Sequence, residues 1–251
     1  MEELTLTNLS DQTQKILEPF LRDILAHCKE DIISISVIGS AVTKDFHPKY
    51  SDINTLIVVK EVKVSLFDFI ATLGKRYGKK RIRAPLIMTS DYISRSLEVF
   101  PLEFLEMKLT HQLVYGNDVL QDIRIEKADV RLQCEREFKG KLQHLCQGYI
   151  KAMGNRTTLT ELFAGSLSGY FPALRGLLFL YDQKIPREKG EVLFALEKCF
   201  NIDTSVYRKL LEIRLKDVYP PVEALREIFE NLYRILHIII KKVDEFEIKP
   251  A

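Results

Sequence analysis

The pattern of apolar and polar positions changes character along the chain. Ile16, Leu17, Phe20, Leu21, Ile24 and Leu25 recur at helical spacing, which predicts a helix over 10–29 with Ser10 as its N-cap. "IISISVIGS" then turns to β-branched residues and predicts a buried strand ending at Gly39. The polar, proline-containing "AVTKDFHPKYS" predicts a short helix or a loop, and "DINTLIVVKEV" a second strand. A connection of about a dozen residues leaves parallel and antiparallel pairing both open. "SLFDFIATLGKRYG" predicts an amphipathic helix with Leu66, Phe69, Ile70 and Leu73 as its apolar stripe. "RIRAPLIM" predicts a third strand, at an edge or with a bulge, because Pro85 has no amide donor.

"TSDYISRSLEVFPLEFLEMKLTHQLVYG" fits two short helices or a helix and an extended piece, with Pro101 in a first turn and Gly116 as a stop. "VLQDIRI" predicts a last short strand or an extended link. From about Ala128 the strand signal ends, and "ADVRLQCEREFKGKLQHLCQGYIKAM" predicts one long amphipathic helix. Thr158 and Glu161 predict a capping box for the next helix, which runs towards Leu180. "REKGEVLFALEKCF", "TSVYRKLLEIRL" and "PVEALREIFENLYRILHIIIKKVDEF" predict three more, with Pro221 in the first turn of the last. The expectation is an α+β chain: a mixed sheet flanked by helices over 1–125, then an all-helical bundle over 126–251.

Composition narrows the function classes. The 251 residues are 46% hydrophobic and 29% charged, as in a globular protein with a sizeable core. Thirty-seven basic residues face 35 acidic ones, so net charge gives no case for nucleic acid or acidic lipid. The densest basic stretch is "KRYGKKRIR", six cations from Lys75 to Arg83 with no acid. It reads as a solvated helix end or as a phosphate-facing patch. Cys28, Cys134, Cys146 and Cys199 show no metal spacing and point to a reducing cytoplasm. The acidic, polar "MEELTLTNLSDQ" is unlike a signal peptide. The longest apolar runs, such as "ILHIII", are too short to span a membrane.

"GSAVTKDFHPKYSDINTLIVV", residues 39–59, carries the candidate chemistry. A strand ending in Gly39-Ser40 lets the backbone turn tightly and lets a ligand approach the main chain. A short helix from Ser40 would offer amides and a hydroxyl to phosphate. Asp52 and residue 54 stand two apart on the next strand, so their side chains share a face. Two carboxylates there and a third from a neighbouring strand would hold two Mg²⁺ about 3.5–4 Å apart.

This stretch resembles the signature of the nucleotidyltransferase superfamily, of DNA polymerase β-like fold: an apolar residue, Gly-Ser, then Asp-apolar-Asp-apolar. The corresponding residues are Ile38-Gly39-Ser40 and Asp52-Ile53-Asn54-Thr55. An α/β domain followed by helices is also the order found in aminoglycoside nucleotidyltransferases. The resemblance implies an NTP as ligand, Mg²⁺ on Asp52 and Asn54, and transfer of a nucleoside monophosphate to an acceptor hydroxyl. Gly39 and Ser40 would grip the phosphates, with Lys44 and Lys49 as triphosphate contacts.

The motif is degenerate. Asn54 stands where the second acid belongs, and its amide brings no charge to a metal. From Phe69 to Ser90, across the strand expected to hold the third acid, there is no Asp or Glu. Glu98, Glu103 and Glu106 follow in a helical pattern that turns them to solvent. A unit charge pair at 4 Å is worth about 4 kcal/mol at an effective dielectric near 20. Losing two such terms per metal weakens or abolishes Mg²⁺ binding. The expectation is a nucleotide-binding protein with lost or impaired transfer, a pseudoenzyme. The alternatives are an active transferase and a non-catalytic scaffold whose bundle meets a protein partner, a second copy included.

Other constellations are weaker. Ser40, His47 and Asp52 lack the elbow pattern of a hydrolase triad. His111, His144 and His237 stand singly on helix-like segments. Tyr149, Tyr170, Phe171, Phe179 and Tyr181 read as bundle core, or as lining of a substrate groove between the halves. Lys184, Arg187 and Lys189 read as an exposed basic turn or a nucleotide contact.

Overall fold

The computed structural model describes residues 4–48 and 51–247. The chain divides into two compact units, Met1–Ile125 and Glu126–Ala251.

The first unit is built on a four-stranded mixed sheet. Its strands are β1 (Ile32–Ile38), β2 (Asn54–Val59), β3 (Leu86–Thr89) and β4 (His111–Gly116), in the order β3-β2-β1-β4. β1 lies antiparallel to β2 and to β4, and β3 runs parallel to β2. β3 starts directly after Pro85 and forms one edge, where a residue without an amide donor is tolerated. Strand periodicity sends alternate residues of β2 to opposite faces. Ile57 and Val59 join Leu17, Leu21 and Ile24 of α1 (Asp11–Cys28) and Leu66, Ile70 and Leu73 of α2 (Val64–Tyr77). Leu56 and Val58 pack on the other face with Ile93 of α3 (Ser90–Ser96) and Phe104 of α4 (Pro101–Leu109). Ser10 caps α1 by accepting from the Thr13 amide, 3.2 Å away, and Pro101 opens α4 in its first turn.

Two open alternatives are decided. The segment read as two short helices or a helix and an extended piece holds two short helices and then the extended piece, "HQLVYG", as the fourth strand. It becomes a strand because β1 presents a free edge to it. "VLQDIRI" is a link and not a strand, irregular and held by the fully buried Leu120.

The second unit is helical. Its elements are α5 (Lys127–Ala152), α6 (Arg156–Ser166), α7 (Phe171–Leu180), α8 (Lys189–Phe200), α9 (Ser205–Lys216) and α10 (Val222–Asp244). α5 packs against α6, α7 and α10. Asn155 caps α6, accepting from the Thr158 amide at 3.0 Å and the Thr158 hydroxyl at 3.1 Å. The capping box expected from Thr158 and Glu161 is therefore displaced by three residues, and Thr158 lies inside the first turn. The helix expected to run to Leu180 is broken by a 3-10 turn at Leu167–Tyr170, just before Pro172. Pro221 precedes α10 as its N-cap and does not enter the first turn. Among the described residues no helix is long and apolar enough to cross a membrane.

Candidate functional site

β1 delivers the chain to Gly39, whose φ of +78° is a left-handed conformation that side chains disfavour. The Gly39 amide donates to the Thr110 carbonyl at 2.8 Å, fixing the bend against β4. A single 3-10 turn, Gly39–Val42, follows in place of a longer helix. The Ser40 carbonyl accepts from the Thr43 amide at 3.0 Å and the Thr43 hydroxyl at 3.2 Å. The half-buried His47 amide donates to the Ser51 hydroxyl at 3.0 Å, and the Ser51 amide returns a bond to the His47 carbonyl at 2.8 Å. Lys44 is exposed in this loop, and Lys49 lies outside the described residues.

The loop leads into Asp52, Ile53 and Asn54. Asn54 stands opposite Ile38 in the β1–β2 register. Its amide nitrogen lies 3.9 Å from where a Cβ on Gly39 would sit. The Gly-Ser bend and the second motif position are therefore neighbours.

Asp52 has a different environment. The Ile53 amide donates to the Arg81 carbonyl at 2.9 Å, and the Arg83 amide donates to the Ile53 carbonyl at 3.1 Å. This ladder places Ile53 beside Ile82, both in the core, so Asp52, Arg81 and Arg83 fall on the opposite face. Arg83 Nε donates to Asp52 Oδ2 at 2.7 Å, and Arg81 Nε to Oδ1 at 3.3 Å. Each carboxylate oxygen thus meets a guanidinium. The three side chains together carry a charge of +1.

Mg²⁺ does not fit this donor set. A dication at Asp52 would gain from one negative charge and lose to two positive ones at similar range. Asn54 contributes only a dipole. β3 carries no acid, Glu98 and Glu103 are exposed, and Glu106 is half-buried on α4. Among the described residues no group of three or more His, Cys, Asp or Glu could hold a metal ion.

The sequence located the basic stretch but not its partner, because pairing across 29 and 31 positions leaves no local signal. It also missed Asp118 as the partner of His111. His111 opens β4 opposite Ile38, and its Nε2 lies 2.9 Å from Asp118 Oδ2. Its Nδ1 lies 3.1 and 3.0 Å from the Met107 and Lys108 carbonyls. Both ring nitrogens are thus engaged by oxygen atoms, and neither is open to a hydroxyl. The carboxylate of Asp52, which a hydrolase triad would turn to His47, faces the arginines.

In the helical unit, Tyr170 and Phe171 are buried, Phe179 is half-buried, and Tyr149 stacks on Phe229 with centroids 4.1 Å apart. Tyr181 donates its hydroxyl to the Lys242 carbonyl at 2.9 Å. Burial pushes the Tyr170 phenol up to about 12. Lys184 and Arg187 are exposed, and Lys189 lies over the Phe171 ring at 5.4 Å. His144 is exposed, as is His237, which meets the Tyr233 ring edge-on.

No protein-family model matches the chain, and no curated protein matches it. Among solved structures the chain is similar to the spectinomycin adenyltransferase AAD(9) from Enterococcus faecialis, crystallised with ATP and spectinomycin. The two share 12% identity over 92% of this chain and 99% of that one, with a TM-score of 0.52. Identity this low speaks for architecture alone: the chain shares the fold of that structure, a mixed sheet followed by helices.

Proposed function

We propose that this chain is a nucleotide-binding protein of nucleotidyltransferase fold that has lost metal-dependent transfer. The observation that carries this reading is the Asp52 carboxylate held between Arg81 and Arg83, with Asn54 in the second motif position. Guanidinium groups bind phosphate through paired, charge-assisted hydrogen bonds. Arg81 and Arg83 supply the positive charge that Mg²⁺ would otherwise bring to a polyphosphate. The bend at Gly39 and the Ser40 hydroxyl complete the phosphate-binding surface, and Lys44 extends it. The ATP bound to the structural neighbour supports a nucleotide as ligand class.

The reading makes a prediction of opposite sign to that of a metal site. In a metal site, Asp52→Ala removes the cation and the nucleotide with it. Here Asp52→Ala removes the negative charge that Arg81 and Arg83 share and strengthens nucleotide binding several-fold. The test is titration of ATP and GTP, with and without Mg²⁺, into wild type, Asp52→Ala, Asn54→Asp and the Arg81→Ala/Arg83→Ala double variant. Expected are Mg²⁺-independent binding, tighter in Asp52→Ala and lost in the double variant. Binding that requires Mg²⁺ and disappears in Asp52→Ala, or transfer by wild type, would establish the active enzyme instead. Transfer gained only in Asn54→Asp would mark a decayed enzyme. No nucleotide effect in any variant leaves the scaffold reading.

A further inference from the structure

α10 buries one face inside its own unit, where Leu225, Ile228, Leu232, Ile235 and Ile239 all lie. The opposite face carries an ordered row. Glu223, Glu227, Glu230, Arg234, Ile238 and Lys241 stand three or four positions apart, so they form one stripe along the helix. Every one of them is exposed. Beside the row runs a ladder of rings: Tyr233, 42% exposed, lies 6.1 Å from Phe229 and 4.5 Å from His237 between centroids.

The charges along the row are segregated by sign. Its first half holds acids, and its second half holds Arg234 and Lys241. Arg226, a cation in the first half of α10, is taken by Glu230 at 3.3 Å. Between Leu232 and Val243 the sequence has no acid. The helix macrodipole favours acids in a first turn and cations in a last one, which accounts for Glu223 and Lys241. It does not reach Glu230 and Arg234, in the middle of the helix.

The row is complementary to itself. Glu223 and Lys241 lie nine residues either side of Leu232, and Glu230 and Arg234 two either side. A second α10 laid antiparallel about the level of Leu232 therefore sets Glu223 against Lys241 and Glu230 against Arg234. A two-fold axis repeats each pair. A parallel copy would set like charges together. Complementarity about a single point is what a two-fold interface requires, and an unrelated partner would not need it.

We propose that the outer face of α10 is the interface of a homodimer, antiparallel about Leu232, with Glu223 and Glu230 of each copy against Lys241 and Arg234 of the other. Exposed ion pairs hold little by themselves, so the charges fix direction and register. Burial of Tyr233 and Ile238 supplies the affinity.

The test is sedimentation of the full chain over a range of concentrations at low and high salt. Expected is a reversible dimer, weaker at high salt. Glu223→Lys/Glu230→Lys and Arg234→Glu/Lys241→Glu should each weaken self-association at least tenfold. Mixed in equal amounts, the two variants should form a heterodimer, because one row is then wholly basic and the other wholly acidic. Tyr233→Ala should weaken the wild-type dimer at least tenfold without a change of charge. The single variants Glu230→Lys and Arg234→Glu repeat the comparison should either double variant lower the melting temperature. A wild-type chain that stays monomeric at every concentration, a dimer that survives both reversals, or folded reversed variants that do not combine would overturn the proposal.

Discussion

At the scale of single residues, buried polar atoms without partners are informative. Thr55 Oγ1, in β2 beside Asn54, is buried and without a hydrogen-bond partner among the described residues. The Tyr207 hydroxyl in α9 is in the same condition, and burial pushes its ionisation far up. Leaving such a group unpaired costs about 1–3 kcal/mol. Thr55→Val keeps the shape, suits a strand and removes the hydroxyl, and should stabilise the chain by about 1 kcal/mol. Tyr207→Phe should be neutral or stabilising by a similar amount. Urea unfolding checks both, and a loss above about 1 kcal/mol in either variant would reveal a polar partner for that hydroxyl. Asp52 teaches the same lesson in reverse: its identity fits a metal site, whereas its neighbours make it the counter-ion of two arginines.

At the scale of elements, helix starts and junctions decide local stability. Because Asn155 is the cap of α6, Asn155→Ala should cost about 1 kcal/mol, and Glu161→Ala close to nothing. A capping box at Thr158 and Glu161 would reverse that order in thermal melts. The α8–α9 junction is fastened by Glu197, which accepts from Arg208 and from the Thr204 hydroxyl, 2.7 Å away, and amide, 3.3 Å away. The Arg208 guanidinium foremost, then the Thr204 bonds, outweigh partial burial and hold the carboxyl at about 2, below its ordinary 4.5. A depressed carboxylate stabilises the folded state above its unfolded pKa, so this contribution is complete at neutral pH. It fades as pH falls from about 4.5 through 2. Glu197→Gln should therefore show a shallower fall in melting temperature across that interval than wild type. Parallel acid limbs would mean that Glu197 is not linked to folding.

At the scale of the whole molecule, each unit was legible to a different degree. The first three strands and α1 and α2 were readable because their apolar periodicities are long and bounded by Gly39, Pro85 and polar turns. β4 was readable only as one of two alternatives, an extended piece, because "HQLVYG" becomes a strand by its pairing with β1. The helices of the second unit were readable from periodicity, whereas the break at Leu167–Tyr170 was not, since apolar residues continue through it. The sequence by itself determined the mixed α/β start, the helical remainder, the Gly-Ser bend and the deficit of acids around residue 54, because these depend on residue type and short spacing. Only the tertiary structure decided that Arg81 and Arg83 close on Asp52 and that Asn54 abuts Gly39. Those relations arise where distant segments meet, and the energy of such contacts leaves no trace in the local pattern of either partner.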